Sequence, residues 1–319
     1  MKKVFLTGGA GFIGSHLVTE LLAKNIEVTV FDNLSTGKLA DIEQHRSNPG
    51  CNFIRGDVKD RSALEKGMAG HDVVWHLAAN TMIPAGISDH GLDLYENIIG
   101  TWNVLEAMLA SGVKQILFAS TAAAYGDEPE TLLTEKHGPM RPISLYGASK
   151  LGAEAFISAY SHLFGIEAWS FRFGNVVGGG MGHGVIFDLI QKLKRNPQML
   201  EIWGDGQGHK PYFLVEDCIR GMLCAYHERF ESGVNKHCDV YNLGTPTTTT
   251  VDEVARIVIE EMRLENVTLV HTGGRHGFPG DVPDVNYRAE KMESMGWTPS
   301  HTSDEAVRIA ARRIISGFR

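Results

Sequence analysis

Short apolar runs and longer amphipathic segments alternate through the first half of the chain. The apolar runs are rich in β-branched and aromatic residues, whereas the longer segments repeat their apolar residues at helical spacing. Strands that alternate with helices form a parallel sheet covered on both faces, so the pattern predicts a doubly wound α/β fold. Strands are predicted at 4–7, 27–31, 52–54, 72–78, 115–120 and 167–173, and helices at 12–24, 91–111 and 146–164.

The alternation loosens after residue 175, which suggests a second, smaller part of the molecule. Glycine-rich loops are frequent there, a helical pattern lies near 185–195, and only 215–227 and 240–244 look like further core elements. We therefore expect a main domain and a C-terminal cap. The main domain is predicted to comprise 1–175 with 215–244 returning to it, and the cap 176–214 and 245–319.

Composition argues against several classes of protein. The 319 residues carry a formal net charge of −8 with a pI near 6.0, so nucleic-acid binding is not expected. No apolar run reaches the roughly 18 residues of a membrane span, and the chain is predicted to start with a strand rather than a signal peptide. The four cysteines and fourteen histidines show no metal-ligand spacing, so no metal site is predicted. This cysteine usage favours the reducing cytoplasm.

A glycine-rich turn follows the first predicted strand and precedes the first helix. In TGGAGFIG, Gly8, Gly11 and Gly14 are spaced three apart. Glycine lets the backbone turn tightly and approach a pyrophosphate, whose charge then lies at the N-terminus of the helix. Such glycines also occur in ordinary strand-to-helix turns, but the strand before and the helix after them favour a dinucleotide site.

An acidic residue follows the second predicted strand. Asp32 is placed where its carboxylate can accept hydrogen bonds from both hydroxyls of an adenosine ribose. Because this carboxylate would repel a 2′-phosphate, NAD is predicted rather than NADP. The alternative is that Asp32 only stabilises the turn in FDNLSTG. Asp57, after the third strand, is similarly placed for adenine.

The stretch YGASK places Tyr146 four residues before Lys150. On a helix this spacing brings the two side chains to one face, about 5 to 6 Å apart at Cβ. A free phenol has a pKa of about 10, and a base active near neutrality requires a fall of about 3 units, worth about 4 kcal/mol. One cation at about 4 Å contributes about 4 kcal/mol at an effective dielectric near 20, before desolvation is subtracted. Lys150 alone is therefore borderline, and the charge of an oxidised nicotinamide would complete the activation. In isolation, the spacing also fits an exposed Tyr and Lys pair.

The order of the motifs resembles a known family. The chain resembles the extended short-chain dehydrogenase/reductase family, particularly its NAD-dependent nucleotide-sugar epimerases and dehydratases. The motifs that carry this resemblance are, in order, GGAGFIG, DNLSTGK, GDV, HLAA, STAAAYG and YGASK. The resemblance runs from Lys3 to about Pro299 and implies a Rossmann domain that holds NAD. It also implies that Tyr146 takes a proton from a sugar hydroxyl, that Lys150 holds the nicotinamide ribose, and that Thr121 hydrogen-bonds the reacting oxygen. Without that role, Thr121 would be an ordinary strand-end cap.

The same resemblance implies a set of cofactor contacts along the first half of the chain. The positions are Gly8, Gly11, Phe12, Ile13, Gly14, Asp32, Asn33, Ser35, Thr36, Gly37, Asp57, Val58, Leu77, Ala78, Ala79, Asn97, Ser120, Tyr146, Lys150 and Phe173.

The residues after Thr121 distinguish among the reactions of this family. In the 4,6-dehydratases an Asp and a Glu follow this Thr, because expelling water needs an acid and a base. This chain has Ala122 and Ala123 there, and no carboxylate before Asp127. STAAAYG instead looks like the form seen in UDP-galactose 4-epimerases. The resemblance therefore implies epimerisation at carbon 4 of a UDP-hexose through a transient 4-keto intermediate.

Two other functions stay open from the sequence. A nucleotide-sugar reductase of the same family would share the tyrosine and lysine but generally needs NADPH, which Asp32 disfavours. A non-catalytic NAD-binding regulator would keep the fold without the catalytic pair, yet both Tyr146 and Lys150 are present.

Contacts to the nucleotide sugar are implied in the second half of the chain. FRFGNVVGGG resembles a family segment in which Asn175 would reach the substrate phosphates. GDGQGHKPYF resembles GDGxxxRDF, but Lys210 and Pro211 replace the Arg and Asp, and lysine supplies a point charge instead of a fork. Arg275 is then the best remaining clamp for the diphosphate, unless it is simply an exposed loop arginine.

Two positions at the start of the predicted cap helix, Val185 and Ile186, are expected near the uracil or the sugar, although the rest of that helix is expected to be core. Arg172 is either a functional part of the FRFGNVVGGG motif or simply a paired buried arginine.

Family members commonly dimerise through the helices corresponding to 91–111 and 146–164. The apolar Leu151, Phe156 and Tyr160 fit such a contact, but each also fits the core of its own chain. A homodimer is therefore expected, with a nucleotide sugar as the small-molecule partner and neither nucleic acid nor membrane.

Overall fold

The strands predicted in the first half of the chain form one central sheet in the computed structural model, which describes residues 1–232 and 237–317. The strand order is β11-β6-β5-β4-β1-β2-β3, and β1 pairs in parallel with both β2 and β4. The chain therefore changes direction across the sheet beside β1, and doubly wound folds bind ligands at the carboxyl ends of strands at such a point. The structure confirms the doubly wound α/β fold. The strands of this sheet are β1 Lys3–Thr7, β2 Glu27–Asp32, β3 Cys51–Arg55, β4 Val73–His76, β5 Gln115–Thr121, β6 Glu167–Phe173 and β11 Cys238–Leu243.

The helices follow the apolar periodicity of the sequence, with one local departure. The predicted helix 91–111 is divided, because a π-helical segment, Leu94–Ile99, precedes its α-helical part. A helix begins directly after the threonine run 247–250, since the hydroxyl of Thr250 accepts the backbone N–H of Glu253. The helices are α1 Phe12–Ala23, α2 Arg61–Met68, α3 Ile83–Ser88, α4 Gly100–Ser111, α5 Leu145–Phe164, α6 Val185–Arg195, α7 Val215–Ser232, α8 Val251–Glu261, α9 Glu290–Ser294 and α10 Ser303–Gly317.

The chain divides into two compact units. The first comprises Met1–Ala124, Leu145–Arg172 and Met222–Tyr241, and its core contains Phe5, Phe31, Val74, Ile116 and Ile157. These side chains come from the strands and from α5, so the sheet and the helix that carries Tyr146 and Lys150 share one core.

The second unit comprises Tyr125–Ser144, Phe173–Gly221 and Asn242–Arg319. Helices α6, α8 and α10 supply most of the buried side chains of one apolar cluster in this unit. Its strands form short pairs, which are β7 Asn175–Val177 with β10 Tyr212–Leu214, β8 Met199–Ile202 with β13 Thr268–His271, and β9 His209–Lys210 with β12 Thr249–Thr250.

This division differs from the predicted domains mainly at 125–144, which was expected in the main domain. In the structure this segment packs with the second unit. The backbone of Leu133 donates to the carbonyl of Asn286 at 2.8 Å and accepts from Arg288 at 3.1 Å. The phenol of Tyr125 donates to the side-chain oxygen of Asn242 at 2.6 Å. These long-range bonds leave no local signature in the sequence.

The start of α7 also belongs to the second unit, although 215–244 was predicted to return to the main domain. The indole of Trp297 donates to the carbonyl of Asp217 at 3.1 Å, and the carboxylate of Asp217 accepts the hydroxyl of Ser300.

Within the described part of the chain, no helix has the length and apolarity needed to cross a membrane.

Candidate active site

The turn between β1 and α1 is shaped by glycines that no larger residue could replace without movement. Gly8 has φ +72°, and a Cβ there would lie 2.6 Å from the backbone nitrogen of Ala78. A Cβ on Gly14 would lie 2.2 Å from the carbonyl oxygen of Gly8. Helix α1 has Gly11 at its N-cap position without a side-chain cap, which leaves its first N–H groups for a ligand. The turn therefore fits the pyrophosphate of a dinucleotide.

Five of the predicted cofactor residues lie close to this turn in the sequence or follow the neighbouring strand β4. Phe12 and Ile13 are the first two residues of α1. Leu77 and Ala78 follow β4, where their backbone N–H groups donate to the carbonyl and hydroxyl oxygens of Thr7, at 3.1 and 3.3 Å. Ala79 continues this partly buried segment.

Asp32 stabilises its own turn. Its carboxylate is buried and accepts the backbone N–H of Ala10 at 2.9 Å and of Leu34 at 2.8 Å. A carboxylate has about four acceptor positions, so capacity for ribose hydroxyls remains. Gly37 packs closely on the same turn, because a Cβ there would lie 2.7 Å from the carbonyl carbon of Ala10.

The remaining predicted adenosine contacts form a small polar group after β2 and β3. Asn33 donates to the carboxylate of Asp57 at 3.0 Å and accepts the backbone N–H of Ser35 at 2.9 Å. Burial pushes the pKa of Asp57 upwards, but hydrogen bonds from Asn33 and Lys59 and the charge of Lys59 bring it below its ordinary value. Asp57 is therefore an anion available to donors. Ser35 and Thr36 are exposed.

Two predicted cofactor residues are used by the protein itself. Val58 is buried, and its carbonyl accepts the side-chain amide of Asn103 at 3.0 Å. Ser120 donates its hydroxyl to the buried carboxylate of Glu154. The side chain of Val58 is thus part of the core, and that of Ser120 belongs to a buried polar network.

Asn97 lies in the π-helical segment and connects three parts of the first unit. Its amide oxygen accepts the backbone N–H of Asn80 at 2.8 Å, and its amide nitrogen donates to Asp93 at 3.1 Å and Ser149 at 2.9 Å. Ser149 in turn donates to the carbonyl of Tyr146 at 2.8 Å. Sequence reasoning missed Asn80, Asp93 and Ser149, whose only signal was their nearness in sequence to predicted site residues.

Tyr146 and Thr121 meet where α5 begins and β5 ends. Their hydroxyls are hydrogen-bonded, and the Thr121 hydroxyl also accepts the backbone N–H of Ala123 at 3.2 Å. Thr121 therefore both closes the strand end and orients the phenol. The short helical turn Ala122–Ala124 supplies no carboxylate.

Burial raises the pKa of Tyr146 to about 12, the bond to Thr121 opposes this rise, and the charge of Asp93 adds to it. The sequence predicts that Lys150 alone is borderline for activating the phenol, and in the protein alone burial keeps the pKa of Tyr146 above its ordinary value. Additional positive charge is needed before Tyr146 can act as a base.

Lys150 is buried one helical turn after Tyr146. Its Nζ donates to the carbonyl of Ala119 at 2.8 Å and lies 4.8 Å from the ring centroid of Phe118. Burial lowers the pKa of Lys150 to about 7, while Glu154 and Asp93 oppose the fall. The alternative that Tyr146 and Lys150 are an exposed pair is therefore wrong for Lys150, which is buried.

Apart from Thr121, the candidate substrate residues lie in the second unit. Asn175 begins β7 and is partly buried, with its backbone N–H bonded to the carbonyl of Pro211 at 2.9 Å. Phe173, predicted near the nicotinamide, is buried in this unit at the end of β6. Val185 is partly buried, but Ile186 is fully buried in the core, so its side chain is unavailable to a substrate. The expected contact through the Ile186 side chain is therefore wrong, because the apolar face of α6 turns inwards at that position.

Both candidate diphosphate cations are held by carboxylates. Lys210 is mostly buried, and its Nζ lies 2.6 Å from Oδ1 of Asp281. Arg275 donates to both oxygens of Asp127, at 2.5 and 3.0 Å, and to Asp284 at 2.9 Å. These bonds hold the pKa of Arg275 above its ordinary value, and the arginine holds that of Asp127 below it. Arg275 is thus a fixed, partly exposed fork, whereas Lys210 is a buried ion pair.

Over residues 1–232 and 237–317, no three His, Cys, Asp or Glu side chains are grouped so that they could hold a metal ion.

Several known proteins resemble this chain over nearly all of its length. Residues 4–244 match the NAD dependent epimerase/dehydratase family. A UDP-glucose 4-epimerase of Streptomyces lividans is 32% identical over 314 residues, which cover 93% of this chain and 92% of that protein. A crystal structure of a UDP-galactose 4-epimerase superimposes with a TM-score of 0.88 at 35% identity, covering 99% of this chain and 100% of the other. The Thermus thermophilus UDP-glucose 4-epimerase in complex with NAD gives a TM-score of 0.85 at 32% identity, covering 98% of each chain. The chain therefore belongs to the NAD dependent epimerase/dehydratase family.

Proposed function

We propose that the protein is an NAD-dependent 4-epimerase of a nucleotide-diphosphate sugar, with a UDP-hexose as substrate. One observation carries the proposal. The phenol of Tyr146 is bonded to the hydroxyl of Thr121, Lys150 is buried one turn away, and Ala122 and Ala123 stand where elimination would need carboxylates. Tyr146 is thus a proton carrier suited to a carbinol, and the two residues after Thr121 carry no group suited to expelling water.

NAD is the cofactor. The turn that contains Gly8, Gly11 and Gly14 would hold its pyrophosphate, and Asp32 would hold the adenosine ribose. Bound NAD accepts and returns a hydride and adds positive charge to the site.

The residues of this chain then accept and return the proton of the 4-hydroxyl. With added positive charge, the pKa of Tyr146 falls from about 12 towards neutrality, and the phenolate takes the proton of the 4-hydroxyl. Thr121 orients the phenol and the reacting oxygen. Carbon 4 loses hydride and becomes a ketone, the keto sugar turns over, and hydride and proton return on the opposite face. Because nothing is consumed, the reaction is an isomerisation.

Substrate binding is assigned to the second unit. Asn175 and Arg275 are the proposed diphosphate contacts, with the backbone at Val185 near the base or the sugar. Lys210 contributes there only if the diphosphate displaces Asp281. A UDP-sugar is favoured because UDP-glucose and UDP-galactose 4-epimerases are among the most similar relatives.

A substrate panel tests the proposal. The purified protein is incubated with UDP-glucose, UDP-N-acetylglucosamine or UDP-glucuronate and followed by proton NMR. We expect one of these sugars to convert to its 4-epimer without net change in absorbance at 340 nm. Stoichiometric consumption of NAD(P)H would instead indicate a reductase, and absence of any conversion across the panel would contradict the proposal.

A homodimer is also proposed. Along α5, Phe156, Leu163 and Phe164 are exposed at 43%, 73% and 44%, which is unusual for large apolar side chains on one helix. Of the other predicted contacts, Leu151 is partly buried and Tyr160 donates to Glu106 at 2.6 Å. We expect a dimer by light scattering and a monomer for Phe156→Glu, and a wild-type monomer would contradict this proposal. A cytoplasmic location is proposed from the cysteine usage alone.

A further inference from the structure

A buried ion pair joins α5, the helix that carries Tyr146 and Lys150, to the strand β6. Glu154 on α5 is 6% exposed, and Arg172 on β6 is 3% exposed. The two oxygens of Glu154 accept from Nε of Arg172 at 3.1 Å and from Nη2 at 2.7 Å, and one of them also accepts the hydroxyl of Ser120. The pair therefore joins α5, β5 and β6.

The pair lies in register with the reacting groups. Tyr146, Lys150 and Glu154 are spaced four residues apart, so they share one face of α5. Each of them bonds to one of three consecutive residues at the end of β5, which are Thr121 for Tyr146, Ala119 for Lys150 and Ser120 for Glu154.

Stability alone is a weak reason for such a pair. Removing two charges from water costs about as much as their attraction returns, so an apolar replacement is often neutral or stabilising. A role in the electrostatics of the neighbouring lysine is a more direct explanation.

Few charged groups surround Lys150 among the described residues. Tyr146 and Glu154 lie on its own helix, Asp93 precedes α4, and His76 lies on β4. Burial lowers the pKa of His76 to about 3, so this histidine is neutral in the working range. The local field therefore depends on Asp93, Glu154 and the arginine that binds Glu154.

We propose that Glu154 and Arg172 form a positioning pair that sets the working pH of Tyr146 and Lys150. Glu154 supplies negative charge that keeps Lys150 protonated despite its burial. Arg172 limits that charge so that ionisation of Tyr146 is not suppressed, and Ser120 fixes the carboxylate in register. This inference rests on the proposed function only for the identity of the reacting pair.

The test uses two single variants with opposite predicted effects. Removing negative charge with Glu154→Gln lowers the pKa of both reacting groups, so the whole pH–rate profile moves to lower pH by roughly one unit. Removing positive charge with Arg172→Gln moves the profile to higher pH by a similar amount. The KM for the nucleotide sugar should stay within about twofold in both variants, because neither side chain is among the proposed substrate contacts. A purely structural role would lower activity in both variants without opposite shifts.

A second readout does not need turnover. The side-chain NMR resonance of Lys150, assigned by its absence from Lys150→Met, is titrated in the protein without substrate. The midpoint should fall in Glu154→Gln, rise in Arg172→Gln and return towards the wild-type value in the double variant. If the wild type converts no sugar, the proposed function fails while this titration still tests the pair.

The matched control is Glu261→Gln, since Glu261 is also a mostly buried carboxylate held by two arginines, Arg308 at 2.9 Å and Arg312 at 2.7 Å. It belongs to the second unit and should leave both readouts unchanged. Unchanged midpoints in both single variants, or shifts of the same sign, would overturn the inference. If only one variant folds, the direction of its own midpoint shift still tests the inference.

Discussion

Arg275 donates to both carboxylate oxygens of Asp127, at 2.5 and 3.0 Å, so the one fork-shaped cation among the proposed diphosphate contacts is held in place. A guanidinium can bind a carboxylate and a phosphate at once through its five N–H groups, whereas an ammonium cannot match this geometry. We predict that Arg275→Lys raises the KM for the nucleotide sugar at least about tenfold with little change in kcat.

The control for this substitution is Arg256→Lys, an exposed arginine paired only with Glu253 among the ion pairs of the described residues. Steady-state kinetics with both variants decides the matter. An Arg275→Lys enzyme with wild-type KM would remove Arg275 from the diphosphate site.

Tyr146→Phe removes the proton carrier and leaves the glycine turn intact. Turnover should fall by about 10² to 10⁴, the range for loss of a general base, while NAD affinity measured by fluorescence stays near the wild-type value. Thr121→Ala should also lose activity, and Thr121→Ser should retain most of it because the hydroxyl is kept. A Tyr146→Phe enzyme with near-normal rates would show that the wrong base has been identified.

Lys150 should make the folded protein less stable at acidic and neutral pH. Its folded pKa of about 7 lies below the ordinary value of 10.5, so folding disfavours the protonated lysine. The penalty is complete below pH 7, amounts to at most about 5 kcal/mol, and is relieved as the pH rises from 7 to 10.5. Lys150→Met should therefore raise the Tm most at pH 6 and least at pH 10.

Thermal unfolding across this pH range provides the measurement, with the exposed Lys114→Met as a control that should show no pH-dependent gain. A lower Tm for Lys150→Met at pH 6 would contradict the prediction.

Gly8→Ala should abolish NAD binding. The added Cβ meets the backbone after β4 at 2.6 Å, and φ is +72°, so relief requires the turn to move away from the geometry that would hold a pyrophosphate. Gly317→Ala, where no atom lies within 4 Å of the added Cβ, is the control. NAD retained after gel filtration, measured by HPLC, should be lost only in Gly8→Ala.

The features that the sequence predicted well are those that depend on a local sequence pattern. The strands, the glycine turn and the Tyr146–Lys150 spacing are all read within a few residues, and each lies where it was expected. The partners of the predicted cations were not foreseeable in this way. Asp127 is 148 residues from Arg275, and Asp281 is 71 residues from Lys210, so only the folded chain brings them together.

Burial was the second property that the sequence did not reveal. The pKa of Tyr146 depends on how much water the folded protein removes from the phenol, and spacing on a helix does not reveal this. Ile186 is likewise one position away from a partly buried valine, yet it faces the core. The sequence pattern therefore did not reveal which residues of α6 face the core.

The reversible oxidation at carbon 4 is tested most directly with UDP-glucose deuterated at that carbon. We predict that the UDP-galactose formed keeps the deuterium at carbon 4, because the same hydride leaves and returns within one binding event. Deuterium lost to solvent, or a product changed at another carbon, would contradict the account.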